Sequence, residues 1–104
     1  MRHLAALRAI ACEGSFRGAA ARLGFTQSAI SQQIAILERR IGHRLIERSK
    51  GRRSVALTEA GDVLLRHANA ILGLVERAHL DFRAFELRRA TENAASSPLQ
   101  RRVA

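Results

Sequence analysis

At 104 residues and 11.5 kDa, with 47% hydrophobic content, the chain has room for one small core plus an appended element, and none for a catalytic fold joined to a regulatory one. Eighteen Lys and Arg against nine Asp and Glu leave a formal net charge of +9. Four Phe with no Tyr or Trp exclude the aromatic platform on which single-stranded nucleic acid stacks, and one cysteine, Cys12, excludes an internal disulfide framework.

The single thiol fits a reducing compartment, and no apolar run approaches the roughly 20 residues that cross a bilayer. Arg8 interrupts the short apolar stretch at the N-terminus, which makes a poor signal peptide, so a cytoplasmic protein with no membrane partner is expected. The charge is uneven. Residues 1–61 carry a net +7 and residues 62–104 a net +2, so a polyanion is expected to dock on the first part.

Leu4, Leu7, Ile10 and Ala11 recur at helical spacing, and Gly14 follows as a stop. Ser15 caps a second short helix with apolar positions Phe16, Ala19, Ala20 and Leu23, ended by Gly24. Thr26 is the next N-cap, and a third helix runs from about Gln27 to Ile41, with Ile30, Ile34, Leu37 and Ile41 along one face and Gly42 as its stop. The stretch 15–34 has the spacing of a helix-turn-helix. Ala20 is small where two helices cross, Gly24 takes the turn, and Ile30 reaches back into the core. The exposed face of the third helix then carries Thr26, Gln27, Ser28, Ser31, Gln32 and Gln33, short or amide side chains that donate and accept as base edges in a major groove demand. Arg39 and Arg40, at the helix end, are read simply as favouring the dipole.

Past Gly42 the pattern alternates. Arg44–Arg48 and Ser54–Thr58 are expected to pair as a two-stranded hairpin, with Lys50, Arg52 and Arg53 at its tip. From Thr58 the period is helical for about 30 residues. Leu64, Ala68, Ile71, Val75, Ala78, Phe82 and Phe85 form an a/d heptad seam, too long for a 58-residue head to cover, which predicts self-association. Residues 89–104 lose the period, contain Pro98, and read as a flexible tail. His3, His43, His67 and His79 have no metal-ligand spacing with one another or with Cys12, and no phosphate-cradling glycine loop is present. Neither an enzyme nor a bound metal or cofactor is expected, and Cys12 is assigned to semi-buried packing.

The pieces Leu4-x-x-Leu7, Gly14-Ser15-Phe16, Ala19-Ala20, Leu23, Gln27 through Ile34, Leu37-Glu38, Gly42, Leu45 through Arg48 and Leu57 through Gly61 resemble, in order and spacing, the N-terminal domain of LysR-type transcriptional regulators over residues 1 to about 88. Leu7 and Ile46 stand where the family more often has Phe. The resemblance implies a mainly α fold: a three-helix winged helix-turn-helix head at 1–58, with the hairpin 44–58 as wing. A linker helix at 59–88 would dimerise two heads, and residues 89–104 would be a tail or the start of an effector-binding domain. It implies a regulator that reads an imperfect palindrome of double-stranded DNA as a homodimer, with a tetramer open to the full-length form and no small-molecule effector site within these residues. Gln27, Ser28, Ser31 and Gln32 would meet base edges. Ser15 and Thr26 would meet phosphate, and Arg48, Lys50, Arg52 and Arg53 the backbone or minor groove. The alternative is a truncated interaction protein that forms inactive mixed dimers with a full-length regulator through the same seam.

Overall fold

The computed structural model describes residues 1–47 and 54–95, in two compact units divided as Met1–Leu72 and Gly73–Ala104. In chain order the elements are α1 (Arg2–Glu13), α2 (Phe16–Leu23), α3 (Gln27–Ile41), β1 (Ile46–Glu47), β2 (Ala56–Leu57) and α4 (Glu59–Ala95). The fold is mainly helical, with a three-helix head, a two-stranded antiparallel sheet and a long last helix, as the sequence predicts.

Each of the first three helices stops on a glycine. Gly14, Gly24 and Gly42 take φ of 74°, 73° and 82°, a left-handed conformation that costs a residue with a Cβ. At the tightest joint the Gly24 N–H and the Phe25 N–H (2.9 Å) both donate to the Ala20 carbonyl, and the chain restarts at once as α3.

The core lies where α1, α2 and α3 meet. Leu7, Ile10, Ile30, Ile34, Leu45 and Ile46 are fully buried in it. On α1 the buried set is Ala6, Leu7, Ala9 and Ile10, so the expected Ala11 points outward instead. Cys12 is exposed as well, which corrects its assignment to packing. Two residues past Ile10, it has turned about 200° away from the inward face. Arg22 of α2 donates to the Glu13 carboxylate at 3.1 Å, and that bond, followed by one with the Cys12 side chain, raises the guanidinium pKa above its ordinary value. Both charged partners are partly exposed to water, so the pair contributes little to stability.

The hairpin pairs Ile46 with Leu57 and Glu47 with Ala56. Among the described residues each strand is two residues, against the five expected, and beyond the Ile46–Leu57 pair the arms stay joined by the Thr58 N–H donating to the Leu45 carbonyl at 3.0 Å. The Leu45 N–H donates to Glu38 Oε2 at 2.9 Å, the Thr58 hydroxyl donates to the Arg44 carbonyl, and the Val55 N–H donates to the Gly14 carbonyl at 2.9 Å. The hairpin is thus tied to α3 and to the α1–α2 turn by its ends. The expected tip residues Lys50, Arg52 and Arg53, together with Arg48, lie outside the described residues.

Thr58 opens α4 as the sequence predicts. Its hydroxyl accepts from the Gly61 N–H at 3.0 Å, and Glu59 and Asp62 stand in the positive first turn. Gly61 is buried, and a Cβ there would collide with the Leu45 carbonyl oxygen. The first turn of α4 therefore lies directly on the backbone leading into β1. The helix continues to Ala95, beyond the expected end near residue 88. Ala90, Glu92, Ala94 and Ala95 are good helix formers that lack an apolar face, so loss of period is not loss of helix.

Candidate nucleic-acid interface

The N-terminus of α3 is built by Thr26, whose extended backbone (φ −81°, ψ 158°) lets its hydroxyl accept from the Ala29 N–H at 3.1 Å. Ser15 does the same for α2, accepting from the Gly18 N–H at 2.9 Å. Both hydroxyls retain a proton to donate, and the helix N-termini around them carry positive partial charge. Thr26 is exposed and Ser15 half-buried.

Ile30, Ile34 and Leu37 pin the opposite side of α3 into the core, which fixes the side that faces out. At about 100° per residue, Ser28, Ser31 and Gln32 share that outer side, while Gln27 lies about 20° round from Ile34 and stands clear of the core in the first turn. Gln27, Ser28 and Gln32 are exposed, and Ser31 is half-buried at the edge of that side. Gln33, read from the sequence as part of the face, does not belong to it. It lies about 140° round the helix from Ser28, is half-buried, and has its Oε1 enclosed without a hydrogen-bond partner among the described residues. The outer face is polar but carries no charge over its first two turns. Arg39, at the far end of the same side, is exposed, as are Arg17 of α2 and Arg44 beyond α3.

Sequence reasoning missed two glycines that position this face. A Cβ on Gly18 would stand 2.8 Å from Glu13 Cβ and 2.9 Å from Ser15 Oγ, so α2 sits against α1 only because Gly18 has no side chain. Gly61 does the same for α4. A glycine inside a helical pattern with no turn role was the available signal. His3, on α1, has an imidazole held below the ordinary histidine value, first by burial, then by the charges of Arg40, the N-terminus and Arg2.

The expected seam on the last helix divides. Ala68 is fully buried and Leu64 half-buried against the head core, so both are taken up within the chain's own Met1–Leu72 unit, where Leu72 is buried too. Ile71, in the same unit, remains 41% exposed. In the second unit Val75 is half-buried, while Ala78, Phe82 and Phe85 are exposed, the last two packing edge to face at 6.3 Å. Leu74, not anticipated, is 70% exposed and joins them on one side of the helix.

Two helices joined through a left-handed glycine, the second capped and polar outside, with a hairpin behind them, make a winged helix-turn-helix. The family model of bacterial regulatory helix-turn-helix proteins of the lysR family matches residues 1–62. The chain belongs to the LysR family. It is 50% identical over 76 residues to a probable RuBisCO transcriptional regulator of Cyanophora paradoxa, covering 73% of this chain and 23% of that protein. MetR of Salmonella typhimurium is 42% identical over 78 residues, 75% of this chain and 24% of that one. Among solved structures, the DNA-binding domain of CbnR in complex with DNA superposes with a TM-score of 0.72 at 38% identity, covering 82% of this chain and 95% of that domain. ArgP from Mycobacterium tuberculosis does so with 0.70 at 40%, covering 80% and 30%. This chain spans about a quarter of the length of the curated relatives it matches. No helix among the described residues is long and apolar enough to cross a membrane.

Proposed function

We propose that this chain is the DNA-binding part of a LysR-type transcription regulator. It pairs with a second copy through α4 and reads two half-sites of an imperfect palindrome in double-stranded DNA. The observation that carries this reading is the outer side of α3: uncharged Ser28 and Gln32, with Gln27 exposed in the first turn, held outward by a buried Ile30–Ile34–Leu37 side and followed along the helix by exposed Arg39. Amides and hydroxyls both donate and accept, which suits base edges, while arginine beyond them suits phosphate. The likeness to the CbnR domain seen on DNA supports the same docking. Ser31 serves at the edge of the outer side. Ser15 and Thr26 hold backbone phosphates, and Arg48, Lys50, Arg52 and Arg53 reach the flanking backbone or minor groove.

Two substitutions separate readout from anchoring. Gln32→Ala relaxes preference at one base position per half-site, costing about 1–3 kcal/mol there. Arg53→Ala weakens selected and random duplexes alike and lowers the salt slope of binding by about 1 per protomer. Titrations of both variants against both duplexes at several salt concentrations test the division; identical behaviour of the two overturns it.

A further inference from the structure

Arg39 and Arg40 are consecutive at the C-terminal end of α3, and both suit the negative end of its dipole. The helix sends them to different sides. At about 100° per residue, Ser28, Gln32, Ala35 and Arg39 fall within an arc of about 60°. Arg40 lies about 100° further round, where its charge acts on His3 of α1. Arg39 therefore continues the reading row, past the small Ala35, to a point about 16 Å along the axis from Ser28. Beyond it, exposed His43 and Arg44 line a shallow groove with Arg39, Ala35, Glu38 and Gly42. Glu38 is the carboxylate in that groove, and its Oε2 is engaged by the Leu45 N–H.

A major groove is about 12 Å wide. If α3 enters N-terminus first and runs across the groove, its length carries Arg39 beyond the base edges to the phosphates of the far strand. We propose that Arg39, with His43 and Arg44, forms a second phosphate-anchoring site for duplex DNA, at the opposite end of α3 from Thr26. This rests on the duplex-binding reading above. The two ends hold the two edges of one groove, which fixes the angle at which Gln27, Ser28 and Gln32 enter it. Arg39 is a positioning residue with no base of its own.

The test is a salt titration of the full chain with two duplexes of about three helical turns, one selected by the wild-type chain from a random pool and one of random sequence. Arg39→Ala binds both about fivefold more weakly at 0.15 M salt, with the log–log salt slope reduced by about 1 per protomer. Arg39→Lys restores the slope. Arg40→Ala, equivalent in its relation to the helix dipole, leaves the slope at the wild-type value. Thermal melts of the free variants show equal small losses for Arg39→Ala and Arg40→Ala, so folding does not explain the difference. If the wild type binds and the two alanine variants share one slope, the assignment of Arg39 is overturned and the duplex reading stands. A wild-type chain that binds neither duplex overturns both.

Discussion

Gly61 and Gly73 look alike in the sequence, each a glycine inside the last helical pattern, and the structure separates them. Nothing lies within 4 Å of a Cβ built on Gly73, whereas one on Gly61 would run into the Leu45 carbonyl. Gly61→Ala forces the first turn of α4 off the backbone before β1 and destabilises the head by about 1–3 kcal/mol. Gly73→Ala, on an exposed helix interior, stabilises by up to about 1 kcal/mol. Urea unfolding read by circular dichroism measures both, and a shared sign contradicts the packing described for Gly61. The contrast also marks what is legible at this scale. Ser15 and Thr26 are readable as caps because a cap bonds within three residues of itself. The enclosure of Gln33 depends on neighbours distant in the chain, which local pattern leaves open.

Among the elements, α1 to α3 are the most legible because apolar spacing and glycine stops are properties of the chain itself. The hairpin is less so. Its arms bond outward to Glu38 of α3 and to the Gly14 carbonyl, partners that alternation in the strand cannot reveal. The last helix shows both cases: its start at Thr58 is local and readable, while the heptad could not say which apolar residues the head would take. Leu64 packs against the head and Ala68 is buried, while Leu74, Ala78, Phe82 and Phe85 are left on a shared arc of about 80°. Leu80 and Leu87, 63% and 64% exposed, lie on the other side. Pairing of two chains through the first group predicts that Phe82→Asp raises the dimer dissociation constant steeply, since two buried rings are lost at about 1.5–3 kcal/mol each. Leu80→Asp leaves it nearly unchanged. Sedimentation equilibrium distinguishes the two, and the reverse order places the interface on the Leu80 side.

Across the whole molecule, the proposed function divides the work between a net charge of +9, for attraction, and the uncharged side of α3, for discrimination. On that proposal arginine would supply affinity that falls with salt, and glutamine and serine a preference that salt does not remove. If two such heads pair as proposed, their two-fold relation carries over to the DNA they prefer, because each half-site must meet the same α3. Selection of duplexes from a random pool by the intact chain tests this most directly. Enrichment of a sequence with two inverted, partly matching half-sites is the predicted result. A pool that stays random after repeated rounds, with binding that depends on salt alone, would contradict the account.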